Sequence, residues 1–226
     1  IDEWGCDAVR FTLPLLTTEG QDIKLAPTKF EMGRNFCNKL WNACRFALIN
    51  LEDFEENFNS ADDALKERLL SGEAEWPEDR FIEGKRSETI EKVQSALEGF
   101  KFNEGATLLY KFVWDELWDW YLEVAKERLY AGRGGQESKL AAQMMLVRTL
   151  RDVLTMLHPF TPFITEEIWS ALKPAVALIS EDAPADCLSE ASWPKETTVD
   201  EDALQRFEVL KEVTRAIRAV RAQHHI

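Results

Sequence analysis

Residues 28–51 read TKFEMGRNFCNKLWNACRFALINL, and the spacing of their apolar side chains predicts an amphipathic helix. Thr28 and Glu31 have the spacing of a capping box, which is typical of a helix N-terminus. With about 100° between successive residues, the small and apolar side chains share one arc of about 150°. These residues are Gly33, Phe36, Cys37, Leu40, Ala43, Cys44, Ala47 and Leu48. We expect this arc to face a hydrophobic core.

The opposite arc of this helix is rich in asparagine and basic side chains, and it also contains Phe46. Its other members are Arg34, Asn35, Asn38, Lys39, Asn42 and Arg45. Asparagine can bond the edges of unpaired RNA bases, and an aromatic ring beside cations can stack on such a base. Alternatively, the amides bond neighbouring backbone and Phe46 packs on another helix. The pattern leaves both interpretations open.

The remainder of the chain also has helical periodicity, interrupted by turns rich in Gly and Pro. We predict further helices over residues 78–100, 103–130, 137–157, 161–172 and 200–223. Aromatic side chains of the helix 103–130 recur at a spacing that is more typical of a core than of a ligand site. They are Tyr110, Trp114, Trp118 and Tyr121. The predicted fold class is all-α, a helical bundle.

The formal net charge of the 226 residues is −14, which at first argues against a nucleic-acid partner. The acid is concentrated in two stretches, because residues 50–83 carry −9 and residues 180–202 carry −7. We interpret both stretches as solvated connections that face away from any bound phosphate. Residues 28–48 carry +3, so the net charge does not exclude RNA.

The amino-acid composition argues against a membrane protein and against a metal-binding protein. Hydrophobic residues make up 45% of the chain, but no run approaches the ~18 consecutive apolar residues of a membrane span, so we expect a globular domain and no membrane partner. The four cysteines lack Cys-x-x-Cys spacing, and the three histidines form no cluster with them, so we expect no metal site. Free thiols suit a cytoplasmic location.

Three carboxylates, Asp115, Asp119 and Glu123, recur every four residues and therefore share one side of their helix. We expect them to bond basic side chains of an adjacent helix or water, because no nucleophile or metal set accompanies them. A hydrolase that combines Asp115 or Asp119 with His158 is disfavoured, because His158 ends a different helix. We predict no catalytic residue in this chain.

Several segments of the sequence resemble one family of enzymes. Residues 34–43, RNFCNKLWNA, resemble the start of the anticodon-binding domain of the valyl-tRNA synthetases, and residues 114–123, WDELWDWYLE, resemble its aromatic helix. Residues 157–169, LHPFTPFITEEIW, are similar to a segment shared by the class I synthetases for Val, Ile and Leu. Residues 5–11 resemble the stretch that follows the family's Lys-Met-Ser-Lys-Ser signature.

The resemblance implies an all-α bundle of the class I synthetase anticodon-binding type over residues 26–226, preceded by a connecting segment, residues 1–25, that follows the catalytic domain. In this family a separate domain activates the amino acid with ATP, and its signatures do not occur here. We therefore expect this chain to bind no cofactor and to be inactive alone. The implied partners are tRNA(Val) and the catalytic domain of the same polypeptide, and neither DNA nor a membrane.

The resemblance also implies which residues contact the anticodon loop. Lys39, Arg45 and Phe46 match one set of family positions, and Leu122 and Glu123 match a second. Phe46 would stack on a splayed base, the two cations would meet phosphate or base acceptors, and Glu123 would accept from an exocyclic amine. Three further candidates are chosen only because they share the polar arc of the helix: Arg34, Asn38 and Asn42.

Two alternatives to this function stay open. The chain could be a structural bundle that docks the catalytic domain, or it could be the equivalent domain of an isoleucyl- or leucyl-tRNA synthetase.

Overall fold

The computed structural model describes residues 1–17, 25–130, 132–180 and 182–224, and the regular elements in these ranges are all helical. The α-helices in chain order are α1 (Cys6–Leu16), α2 (Phe30–Ile49), α3 (Phe54–Ser60), α4 (Asp63–Ser71), α5 (Pro77–Glu98), α6 (Phe102–Lys111), α7 (Glu123–Leu129), α8 (Gly135–Leu157), α9 (Pro162–Ile179) and α10 (Glu201–Gln223). The predicted all-α bundle is confirmed. Across the described ranges, none of the helices combines the length and the apolar character needed to cross a membrane.

Helix α2 follows the predicted division into two faces. Its fully buried residues are Gly33, Phe36, Leu40, Cys44 and Ala47, all members of the predicted apolar arc. The helix begins at Phe30, after a 3₁₀ turn over Pro27–Lys29, and no side chain caps its N-terminus. The capping box predicted at Thr28 is therefore wrong, because the 3₁₀ turn already occupies that position.

Helix α1 lies within the segment that was predicted as a connection, and it packs against α2, α6 and α9. The ring of Phe11 stacks on that of Phe36 with 4.3 Å between centroids. The two helices approach closely at Gly33, where an added Cβ would overlap the Thr12 hydroxyl and the Ala8 carbonyl oxygen. Residues 18–24 lie outside the described residues, and the boundary after residue 25 stays a prediction.

The acidic stretch 50–83 is not the solvated connection that its charge predicts. It forms α3, α4 and the start of α5, and it buries Phe54, Phe58 and Leu69. The acids alternate with apolar side chains, so one side of each short helix can pack while the other is solvated. Within the second acidic stretch, the backbone N–H of Thr197 donates to Ser87 Oγ at 2.9 Å, which attaches that connection to α5.

Helix α8 is the centre of the bundle, because residues 140–147 are all buried and α3 to α7 and α9 surround it. The predicted helix 103–130 is interrupted. Residues Phe112–Leu122, between α6 and α7, form a π-helix, which we call the π segment. Because a π-helix has a wider turn than an α-helix, it redirects the side chains that follow it, and such segments often occur at functional sites.

A buried ion pair attaches α7 to the core. The Arg128 guanidinium is fully buried and donates to Asp79 Oδ1 at 2.8 Å and to the Ser138 hydroxyl at 2.9 Å. The Tyr121 hydroxyl donates to the same Asp79 oxygen at 2.9 Å. Because buried charges are stable only with such partners, this network holds α5, α7 and α8 in one arrangement.

Candidate nucleic-acid interface

Helix α2 lies beside the π segment and α7, and long side chains bridge the two. Lys39 contacts Asp119 of the π segment, and Phe46, two turns farther along α2, contacts Tyr130 at the end of α7. The contacts advance in the same direction along both segments, so the segments run side by side and share one surface. We call this surface the seam and define it by six residues: Lys39, Phe46, Trp114, Asp119, Lys126 and Tyr130.

Lys39 already has two partners within the protein. Its ammonium group donates to Asp119 Oδ1 at 2.7 Å and lies 3.7 Å from the ring centroid of Trp114. The side chains of Lys39 and Asp119 are 26% and 52% exposed, so water reaches the pair. An exposed pair of this kind contributes about 0–1 kcal/mol, which an RNA phosphate could replace.

Phe46 is half-buried and packs against the core, so it is not the freely exposed ring that one sequence interpretation required. Its ring meets that of Tyr130 edge to face, with 6.4 Å between centroids and 83° between planes. The Lys126 ammonium lies 5.5 Å from the Phe46 centroid. The structure supports the packing alternative for Phe46, which contacts a neighbouring helix, and the contact of its ring with an RNA base stays a prediction.

Arg45 is exposed on a different side of α2 from the seam. It lines a groove of about 470 Å³ between α2, α3 and α9, together with Trp41. Glu52, Glu55 and Glu167 line the same groove. Glu52 and Glu55 belong to the acidic stretch 50–83, so this stretch and Arg45, a predicted phosphate ligand, line the same groove. The orientation of the stretch relative to a bound phosphate stays a prediction. The acids repel phosphate, so this groove is less suited to RNA than the seam.

The three candidates that were chosen only for their position on the polar arc do not lie together. Arg34 and Asn38 line a small cleft near the N-terminus of α9, where the Arg34 guanidinium lies 4.9 Å from the ring centroid of Trp4. Asn42 is exposed one turn before Phe46, on the seam side of α2. The side chains of the polar arc therefore face three different surroundings in the folded chain: this cleft, the seam and the groove that Arg45 lines.

Leu122 and Glu123 occupy adjacent positions with different exposure. The side chain of Leu122 is only 7% exposed and belongs to the core. Glu123 is exposed and forms an ion pair with Lys126, one turn farther along α7. Its carboxylate can accept a hydrogen bond at the seam, whereas Leu122 supports the surface from beneath. Direct contact of either residue with RNA stays a prediction.

Four members of the seam were not singled out as binding residues from the sequence: Trp114, Asp119, Lys126 and Tyr130. The regular spacing of Asp115, Asp119 and Glu123 correctly indicated bonds to basic side chains, since Asp119 binds Lys39. The pairing of Phe46 with Tyr130 joins residues 84 positions apart, so no pattern of neighbouring residues in the sequence predicts that contact.

Outside the seam, three side chains of chemically reactive types are hydrogen-bonded or at least partly buried: His158, Cys37 and Cys44. His158 Nδ1 lies 2.9 Å from the Thr165 hydroxyl, at the junction of α8 and α9. Burial raises the pKa of the Cys37 and Cys44 thiols to about 12, so neither thiol is an activated nucleophile. In the part of the chain that the structure describes, no group of three or more His, Cys, Asp or Glu side chains could hold a metal ion.

Comparison with known proteins identifies the family. Residues 79–226 match the family model described as the anticodon-binding domain of tRNA ligase. The chain is 39% identical to the valine–tRNA ligase of Fervidobacterium nodosum and 38% identical to that of Thermotoga maritima, in both cases over all of this chain and 23% of the relative. It is 41% identical to the valine–tRNA ligase of Geobacter sulfurreducens, over 99% of this chain and 23% of the relative.

Among solved structures, a LeuRS–tRNA–LeuAMS ternary complex from Agrobacterium radiobacter K84 aligns with a TM-score of 0.48 and 21% identity, over 89% of this chain and 21% of that chain. The chain spans about 23% of the length of the curated relatives it matches. The match of the family model over most of the described helices agrees with the resemblance found in the sequence. The chain belongs to the family of anticodon-binding domains of tRNA ligases.

Proposed function

We propose that this chain recognises the anticodon end of tRNA(Val) as one domain of a valine–tRNA ligase. The observation that supports this specificity is an identity of 38–41% to valine–tRNA ligases along essentially the whole chain. ATP-dependent activation of valine would then belong to a catalytic domain of the same polypeptide, in the cytoplasm. The role of this chain is to position the tRNA for that reaction.

The seam supplies the chemistry that such a role requires. Phe46 presents an aromatic edge, and the Lys126 ammonium lies 5.5 Å from its ring centroid. Lys39 adds a second cation two turns earlier on α2, on a chain whose net charge is −14. In this proposal an RNA phosphate takes the place of Asp119 on Lys39, and Glu123 accepts from an exocyclic amine of a base. Arg45 faces the groove with three glutamates instead of the seam, so this proposal assigns it no contact with the RNA.

A footprint of the chain on tRNA(Val) tests the proposal directly. We expect protection of the anticodon loop, and we expect Phe46→Ala to weaken binding by about 1–3 kcal/mol, so that the same protection requires a higher protein concentration. Phe102→Ala is a matched control, because Phe102 is also a partly exposed ring but lies at the start of α6. A structural bundle that only docks the catalytic domain would leave the loop unprotected.

Exchange of the anticodon loop separates the remaining alternatives. A tRNA(Ile) or tRNA(Leu) that carries the loop of tRNA(Val) should bind as tRNA(Val) does, and the reverse exchange should lose binding. If tRNA(Ile) or tRNA(Leu), each with its own anticodon loop, binds more tightly than tRNA(Val), the chain belongs to the corresponding synthetase instead. Binding should also weaken as salt rises, by about 0.7 in log K per tenfold change in salt for each phosphate contacted.

A further inference from the structure

Tyr130 is the most exposed ring of the seam. Its side chain is 64% exposed, although it follows directly after the last residue of α7 and meets Phe46 edge to face. Its backbone N–H donates to the Lys126 carbonyl oxygen at 3.0 Å. The buried Arg128 is two residues away and attaches this end of α7 to α5 and α8. The ring is therefore exposed on a firmly held backbone.

We propose that Tyr130 is the residue on which an unpaired base of the RNA stacks, with Phe46 bracing its ring from the side. This inference depends on the proposed function and names a further binding residue for it. An exposed aromatic face held in place loses little conformational entropy when a base covers it, because a tyrosine side chain has only two rotatable angles. Phe46, half-buried in the core, contributes an edge rather than a free face.

The surrounding charges favour this position over the other exposed aromatic ring near α2. Lys126 lies one turn before Tyr130, and its ammonium group is 5.5 Å from the Phe46 ring centroid and paired with Glu123. A phosphate that takes the place of Glu123 on Lys126 would lie beside a base stacked on Tyr130. Trp41 is also exposed, but it lines the groove that contains three glutamates. Their charge would oppose the RNA backbone, whereas the lysine would attract it.

The test compares four chains for binding to tRNA(Val) transcript: the unaltered protein, Tyr130→Ala, Tyr130→Phe and the control Phe100→Ala. Phe100 is 80% exposed on the turn between α5 and α6, away from the seam. A stacked base predicts that Tyr130→Ala weakens binding about 5- to 150-fold. Tyr130→Phe and Phe100→Ala should bind within about twofold of the unaltered protein, on the scale where tenfold is 1.4 kcal/mol.

A fluorescent base provides the second readout. With 2-aminopurine placed in turn at each anticodon-loop position, one position should lose emission on binding to the unaltered protein and to Tyr130→Phe. The same position should keep its emission with Tyr130→Ala at saturating protein. Equal losses of affinity in the Phe and Ala variants would assign the effect to the hydroxyl and overturn the stacking role.

The outcomes also separate this inference from the proposed function. If the anticodon loop is protected and Lys39→Ala or Phe46→Ala weakens binding, but Tyr130→Ala does not, the RNA site stands and the role of Tyr130 is wrong. If none of the seam variants changes binding and the loop is unprotected, the proposed function is wrong as well.

Discussion

Lys39 of α2 donates a hydrogen bond of 2.7 Å to Asp119, a residue 80 positions later in the chain, so a cation proposed to bind RNA is held by a carboxylate in the free protein. A phosphate must compete with that carboxylate. Exposed ion pairs contribute about 0.2–1 kcal/mol, so Asp119→Asn should tighten binding of tRNA by up to about fivefold. Equilibrium binding at two salt concentrations measures the change.

Asp115→Asn is the matched control for this variant, because it removes an exposed carboxylate from the same π segment without releasing Lys39. We expect a smaller effect from it, through long-range charge alone. Weaker binding by Asp119→Asn would show instead that the carboxylate itself contacts the RNA.

The buried pair of Arg128 with Asp79 should be important for stability. Arg128→Met leaves the carboxylate buried without its cation, which costs about 3–5 kcal/mol. Arg206→Met removes a solvent-exposed pair with Asp202 and should cost less than about 1 kcal/mol. Urea denaturation compares the two variants, and similar losses would contradict the structural role of Arg128.

The stability of the protein should depend on the ionisation of Glu75. Burial raises its pKa from the ordinary 4.5 to about 7, and nearby Glu83 adds to the rise, against the opposing guanidinium of Arg148 at 3.4 Å. Because the folded-state pKa lies above 4.5, this contribution to stability is fully present below about pH 4.5. It is lost as the pH rises through 7.

Glu75→Gln keeps a neutral side chain at every pH, so it should match the unaltered protein near pH 5 and exceed its free energy of unfolding at pH 8. The difference should be on the order of 2 kcal/mol, allowing for partial exposure of the carboxyl. Denaturant unfolding at the two pH values measures it, with exposed Glu73→Gln as the control. If the free energy of unfolding changes with pH in the same way for Glu75→Gln and the unaltered protein, Glu75 is not the origin of the pH dependence.

Gly33 permits the close approach of α1 and α2. Gly33→Ala places a methyl group against the Thr12 hydroxyl and the Ala8 carbonyl oxygen, so the helices must separate. We expect a loss of about 1–3 kcal/mol, as for other overpacked cores. Gly105→Ala is the control, because its Cβ would meet Leu97 at an ordinary 3.5 Å. Thermal unfolding should show no loss for the control, since alanine favours a helix.

The helices that could be predicted from the sequence are those with long, regular patterns. Helices α5, α8 and α10 begin and end within about two residues of their predicted bounds, and the buried face of α2 follows its apolar spacing. Helices α3 and α4 were missed because each is short and acidic. Their stability depends on burying Phe54, Phe58 and Leu69 against the bundle rather than on intrinsic helix preference.

The candidate site was predictable in part. Residue types and family positions indicated Lys39, Phe46 and Glu123, but the helical wheel treated Arg45 as part of the same surface. A wheel describes one isolated helix, whereas exposure and partners depend on which neighbours pack on each side. Arg45 therefore faces a groove with three glutamates, while Lys39 faces a π segment whose wider turn a spacing rule for α-helices does not anticipate.

The order of residues was sufficient to establish the family, the all-α class and the two faces of α2, because periodicity and motifs are local properties of the chain. It was not sufficient to bring Phe46 to Tyr130, to pair Lys39 with Asp119, or to bury Asp79 beside Arg128. Those contacts join residues that are 49 to 84 positions apart. They form because the fold packs α2 beside the π segment and α7, and packs α5 against α7 and α8, which brings each charge and each ring within reach of its partner.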